Sequence, residues 1–146
     1  MRKNIAPHCG TSGGLDVTAR AVPHGITPQT EPEMSLIQRV SRDATPPEDT
    51  RPDPAKVVAG DPVHTTWNIE EVGGLYCGLW QSTPGAWRVS YDEWEYIRIL
   101  QGHSILRGED GSETHLRAGD SYIIRPGFTG VWEVVETTLK DYVIRA

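Results

Sequence analysis

Tyr91-Asp92-Glu93-Trp94-Glu95-Tyr96-Ile97-Arg98-Ile99-Leu100-Gln101-Gly102 and Ala118-Gly119-Asp120-Ser121-Tyr122-Ile123-Ile124-Arg125-Pro126-Gly127 are the two stretches that decide the fold. In the first, Glu95, Ile97 and Ile99 fall on one face of an extended chain and Trp94, Tyr96 and Arg98 on the other, the two-residue period of a strand. In the second, Gly-Asp precedes a short β-branched and aromatic run that stops at Pro-Gly, which reads as turn, strand, turn.

The same rhythm extends outward. Beyond residue 56 the apolar segments are short, rich in Val, Ile, Tyr and Trp, and interrupted every 8 to 12 residues by Gly, Pro or Asp, the signal of an all-β domain. Strands are predicted near 64–69, 75–81, 86–90, 94–101, 103–109, 112–117, 121–125, 130–136 and 138–145. Asp110-Gly111 supplies the positive φ that a tight hairpin needs.

Both stretches resemble the signatures of the cupin superfamily, whose first motif runs His-x-His, three or four residues, Glu, six residues, Gly, and whose second runs Gly-Asp, a short strand, Pro-Gly, and a third His. Glu95, with six residues between it and Gly102, stands at the Glu position. The resemblance is to a small branch that includes ureidoglycine aminohydrolase-type and ethanolamine-utilisation domains. It is carried by Gly78-Leu79-Trp80, Thr83-Pro84-Gly85-Ala86-Trp87, Glu95 with Gly102, Gly119-Asp120, Pro126-Gly127-Phe128, Gly130, Trp132-Glu133 and Lys140-x-Tyr142-Val143-Ile144. It implies an all-β, small single-domain cupin, a jelly-roll-like β-barrel over residues 56–146, while composition makes residues 1–55 an irregular, Pro-rich N-terminal extension. Many members of that branch likewise lack the metal histidines. Arg125, where the family often has a first Pro, departs from the pattern.

With a four-residue gap before Glu95, Arg88 and Ser90 stand at the two histidine positions and Gly130 at the third. A transition-metal site generally needs three or four N, O or S ligands, and the Arg guanidinium has no free lone pair. At 4 Å it would repel a divalent ion by roughly 8 kcal/mol at an effective dielectric of about 20. No metal and no cofactor are therefore expected.

Composition divides the chain near Lys56. Eight of 11 prolines lie in residues 1–54, whereas all five Trp, all five Tyr and the one Phe lie beyond residue 66. A segment without aromatics and with so many prolines cannot bury enough apolar surface to offset chain entropy. Met34 is a candidate natural start, which would leave residues 1–33 as upstream sequence. Residues 1–56 carry seven basic and seven acidic groups and 57–146 seven and 13, so the barrel holds the net charge of −6. No basic stripe for nucleic acid appears. Cys9 and Cys77 are too few for a disulfide framework. No apolar run has the length of a membrane span, and no apolar leader stands at the N-terminus. The expectation is a soluble, cytoplasmic protein.

Strand parity places Glu95, Arg88, Ser90, Gly130, Trp132, Lys140 and Tyr142 on inward faces, with Trp80 and Trp87 near the rim or core. Glu95 is the candidate acid or base and Lys140 a proton donor or anion contact. Arg88, Ser90, Trp132 and Tyr142 are the candidate substrate-binding residues, Arg88 holding a carboxylate through its fork. The alternative reading of Glu95 is an inert partner of Arg88 in an interior ion pair. Gly130 is expected to leave room beside Trp132. The outward Trp94 and Tyr96 ask for a cover, and a homodimer contact supplies one. His103 and His115 flank the hairpin as surface histidines. Ser35 to Arg42 could form two helical turns or dock on a neighbour, and an undocked segment is the expectation.

Two functions fit. One is a binding protein for a small carboxylated or amine metabolite; the other is a metal-independent enzyme, aminohydrolase- or isomerase-like, acting in amine, ureide or sugar metabolism with Glu95 as proton carrier. Fold does not choose between them. The expected metal content is testable directly. Elemental analysis of tag-free protein after dialysis should show no stoichiometric transition metal, and near one equivalent per chain would overturn this reading of Arg88, Ser90 and Gly130.

Overall fold

The computed structural model describes residues 35–146, so Met34 as a start, Cys9, His8 and His24 lie outside the described residues. Nine strands follow one another: β1 Glu48–Thr50, β2 Val57–Gly60, β3 His64–Val72, β4 Leu75–Ser82, β5 Gly85–Ser90, β6 Trp94–Gly108, β7 Glu113–Arg117, β8 Ser121–Ile124 and β9 Thr129–Arg145. A single 3-10 turn, Pro54–Lys56, capped by the Asp53 carboxylate, leads into β2. No helix among the described residues is long and apolar enough to cross a membrane.

Two long strands organise the rest. The C-terminal half of β9 pairs with β4 on one edge and the N-terminal half of β6 on the other, extending outward through β3 and β1 and through β8. Its N-terminal half pairs with β5 and with the C-terminal half of β6, extending to β2 and β7. All pairings are antiparallel. One hydrogen-bonded network thus curls into two sheets that share β6 and β9, and their inner faces close on a core that includes Trp80, Trp87, Trp132, Ile97, Ile99, Leu116 and Ile144. This is a small β-barrel.

The strands expected at 94–101 and 103–109 are one strand, and so are those expected at 130–136 and 138–145. A bulge joins the pieces of each, with register shifts between Ile99 and Ser104. Gly102 makes it possible: its φ is 88°, and a Cβ there would lie 2.1 Å from the Thr137 carbonyl oxygen. The bulge switches parity along β6, so Glu95, Ile97 and Ile99 are buried before it and Ser104 and Leu106 after it. Ser104 Oγ meets Thr138 Oγ1 at 2.7 Å beneath it, pairing two buried hydroxyls.

The two motif stretches are stitched together by backbone. The Ile99 N–H donates to the Asp120 carbonyl and the Gly119 N–H to the Ile99 carbonyl, both at 2.9 Å. The Gly127 N–H donates to the Tyr91 carbonyl at 2.7 Å, and the Tyr91 N–H to the Phe128 carbonyl at 2.8 Å. The Asp120 carboxylate accepts from the Arg117 N–H, which closes the Gly-Asp turn.

Part of the stretch read as irregular is ordered against the barrel. β1 adds to the edge of β3, and Arg42 lies 5.8 Å from the centroid of Trp67, whose ring forms an outer apolar cluster with Leu79, Leu139 and Leu100. Ser35 to Arg42 form no helical turns, and Leu36 and Ile37 are exposed. Trp94 and Tyr96 point outward and are half-buried.

Gly102→Ala should therefore cost more than a positive φ alone. Gly111 has a similar φ of 86° and open space where a Cβ would stand, so Gly111→Ala should lose about 1 kcal/mol and Gly102→Ala at least about 2 kcal/mol more. Urea denaturation of the two variants checks this, and equal midpoints would overturn it.

Candidate functional site

β9 sends Lys140 and Tyr142 inward from one sheet and Trp132 and Val134 inward from the other. Lys140 Nζ donates to Glu95 Oε1 at 2.7 Å. Both side chains are buried, Glu95 at 0% and Lys140 at 4% exposure. The ammonium also sits 4.8 Å from the Trp80 ring centroid and 4.6 Å from that of Trp132, within reach of both aromatic faces. Trp80 is the register partner of Lys140 across β4 and β9, so pairing of adjacent strands delivers the first ring. Trp132 arrives from the facing sheet.

The aromatic wall continues. Trp87 stacks on Trp132 with ring planes 9° apart, and Trp80 meets Trp132 edge-on at 5.6 Å. His64, inward on β3, lies 4.5 Å from Trp87 and 5.0 Å from Trp80, centroid to centroid. Burial, reinforced by the Lys140 charge, lowers the His64 pKa from 6.5 to about 4, so its imidazole is neutral at neutral pH. On the far side of Glu95, burial and the adjacent Glu95 carboxylate push the Tyr91 phenol well above its ordinary range. The Tyr142 hydroxyl donates to Asn68 Oδ1 at 2.9 Å, and burial raises its pKa too.

Several buried polar atoms of this wall make no hydrogen bond: His64 Nε2, Thr66 Oγ1, Trp87 Nε1 and Trp132 Nε1. Glu95 Oε2 accepts none of good geometry, although Tyr91 lies beside the carboxylate. Leaving such a group unpaired costs about 1 to 3 kcal/mol. The indole N–H groups donate only, and Thr66 and neutral His64 can also donate. With the ammonium they form a set matched to an acceptor-rich molecule, while Glu95 remains the negative counterpart.

The expected inward placement of Arg88 and Ser90 is corrected. Trp87 and Val89 are buried, whereas Arg88 is exposed and Ser90 half-buried on the opposite face of β5. Arg88 therefore neither faces Glu95 nor belongs to the interior; Lys140 is the partner. With the three-residue gap of the motif, Val89 and Tyr91 occupy the two histidine positions, and both point in. Gly130 leaves no room beside Trp132: a Cβ on it would lie 1.9 Å from the Arg107 carbonyl oxygen, so this glycine serves the close approach of β6 and β9. Trp80 and Trp87 belong to the core rather than the rim. The sequence reading missed His64, Thr66 and Tyr91 as interior groups.

The donor set does not fit a transition metal. Glu95 is engaged by a cation, Val89 and Tyr91 replace imidazoles, and no group of three or more His, Cys, Asp or Glu side chains among the described residues could hold one. On the outer face, His103 Nε2 meets His115 Nδ1 at 2.9 Å and His115 Nε2 meets Glu113 Oε1 at 2.8 Å. They lie diagonally across the hairpin, since His115 pairs with Ile105 and His103 with Arg117. A separate open cavity of about 290 Å³ lies between Leu106, Thr114, residues 122–126 and Phe128. Of charged groups it offers Arg125 alone, without the acid-base pairing of the interior.

The His64 environment has a pH consequence. Its folded pKa lies below its unfolded value, so its contribution to stability is complete above about pH 6.5 and is lost as the pH falls towards 4, by up to about 3 kcal/mol. Chemical denaturation from pH 7 to 4 should show a shallower loss for His64→Gln than for the wild type. Identical slopes would overturn this assignment.

A EutQ-like cupin domain matches residues 69–142. No curated protein matches the chain. Among solved structures, a protein of unknown function from Pseudomonas syringae pv. tomato is similar at 25% identity and a TM-score of 0.62, over 67% of this chain and 43% of that one. The Clostridium difficile EutQ protein is similar at 16% identity and a TM-score of 0.53, over 57% and 63% of the two chains. A putative ethanolamine utilisation protein Q from Salmonella typhimurium is similar at 18% identity and a TM-score of 0.51, over 69% and 96%. The last two likenesses concern the fold alone. The chain spans less than half of the Pseudomonas protein and under two thirds of the Clostridium protein. The matched domain runs from the middle of β3 to within three residues of the end of β9 and takes in Glu95, Trp80, Trp132 and Lys140, and on that ground the chain belongs to the EutQ-like cupin family.

Proposed function

We propose that this chain binds a small carboxylate-bearing metabolite inside its barrel, against Lys140, Glu95, Trp80 and Trp132. One observation carries the reading: a buried ammonium held between two indole faces and one carboxylate, in a wall whose indole, hydroxyl and imidazole groups lack partners. Convergent polar groups in an apolar interior are the usual form of a small-molecule site. The carboxylate takes the place of the missing acceptors, and an amine on the same molecule would find Glu95.

A second reading, a metal-independent enzyme with Glu95 as proton carrier, aminohydrolase- or isomerase-like, is favoured by the 2.7 Å hydrogen bond itself. A proton can pass between carboxylate and amine along it.

A thermal-shift screen of small carboxylates and amines tests the binding reading, since a ligand at 100 times its Kd stabilises by about 2.7 kcal/mol. Lys140→Met alone leaves a buried, unpaired carboxylate and should cost about 3 to 5 kcal/mol. The Lys140→Met, Glu95→Gln double variant recovers much of that loss and is the proper binding control. A carboxylate should stabilise the wild type and bind at least tenfold more weakly to the double variant. Equal stabilisation of both, or none by any carboxylate, would overturn the proposal.

A further inference from the structure

We propose that Lys140 is a carbonyl-reactive lysine and that the barrel takes a small 2-oxo acid, held as a protonated imine. The inference rests on the binding reading above and specifies both its ligand class and a covalent step. An amine that adds to a carbonyl needs a base to receive its proton, an acid to release water, and an environment that stabilises the resulting cation. Glu95 Oε1, 2.7 Å from Nζ, serves the first two needs. The faces of Trp80 and Trp132 and the Glu95 carboxylate serve the third, because they already surround a positive nitrogen.

The step balances without any further reagent. The Lys140 ammonium gives a proton to Glu95, and the free amine's lone pair forms the C–N bond as the carbonyl π pair moves onto oxygen. A proton shifts from nitrogen to that oxygen, giving the carbinolamine. Glu95 returns its proton to the hydroxyl, the C–O bond breaks, water leaves, and the nitrogen lone pair completes C=N. The product nitrogen carries one positive charge beside the Glu95 carboxylate, as the ammonium did, so the charge state of the interior is the same before and after. An aldehyde would satisfy the covalent chemistry alone. The carboxylate of a 2-oxo acid also answers the unpartnered indole N–H of Trp132, which belongs to the very ring that faces Nζ.

The chain has three lysines, Lys3, Lys56 and Lys140, which makes the test clean. Full-length protein is incubated with pyruvate and sodium cyanoborohydride, and its modified lysines are mapped by peptide mass spectrometry. Lys140, though more buried than Lys56, should carry one reduced pyruvyl group at least tenfold in excess over it. Propionate, which matches pyruvate but lacks the carbonyl, should suppress the labelling without adding to the protein. Lys140→Arg keeps a cation between the rings and should lose the adduct. Labelling of Lys3, Lys56 or the N-terminal amine at the rate of Lys140, or none at Lys140, overturns the imine. A melting temperature raised by pyruvate or propionate without adduct on Lys140 overturns the imine alone and leaves carboxylate binding intact. Failure of every carboxylate to stabilise the protein overturns both.

Discussion

The buried contact between Lys140 and Glu95 is the constraint to which the interior of this barrel is fitted. At 2.7 Å and an effective dielectric of about 20, the Coulomb attraction is about 6 kcal/mol, while desolvating each ion costs several kcal/mol. Two cation–π contacts add about 1 to 2 kcal/mol each where water is excluded. The sum is near break-even, so an apolar pair of the same volume would serve stability as well. The charges are better explained by what they can do than by what they hold together.

Bringing those charges together depends on the two long strands. β6 and β9 each pass from one sheet to the other through the bulge at Gly102 and Thr137, which approach too closely for any side chain on residue 102. Because of that passage, β9 presents Trp132 from one sheet and Lys140 from the other to the same interior. β4 adds Trp80 beside Lys140, and β5 adds Trp87 beside Trp132. A straight β9 would keep all these residues in one sheet, and the ammonium would have an aromatic neighbour on one side instead of two.

The fold was legible because its signals are local. Glu95 and Gly102, Gly119-Asp120 and Pro126-Gly127 mark turns and strands that pair as their spacing implies, and the inward positions of Glu95, Trp132, Lys140 and Tyr142 follow from parity. Arg88 is the instructive failure. Counting a four-residue gap back from Glu95 set it inside, although Trp87, Val89 and Tyr91 alternate with Arg88 and Ser90 in plain view and put the apolar set inward. Periodicity measures burial and a motif gap does not, so the alternation had the better claim. That Lys140 rather than Arg88 is the partner of Glu95 was not legible, because Glu95 and Lys140 are 45 residues apart and meet through the order of strands. Nor was the burial of His64, which opens β3 and enters the wall only when β4 and β5 pack over it.

In the family pattern, the position of Glu95 belongs to a set of side chains that surround a divalent cation, and here the same carboxylate binds the ammonium of Lys140. A singly charged nitrogen is a different instrument from a metal ion. It cannot polarise two ligand oxygens at once, yet it carries transferable protons and, once deprotonated, a lone pair. It also needs less negative charge around it, which agrees with an interior that supplies one carboxylate, two indole faces and a neutral imidazole instead of three or four ligands. The interior around Glu95 therefore presents an amine between two indole rings, with Val89 and Tyr91 where the superfamily signature has imidazoles. Tyr91 agrees with that chemistry, since burial and the adjacent Glu95 carboxylate hold its phenol in the protonated form.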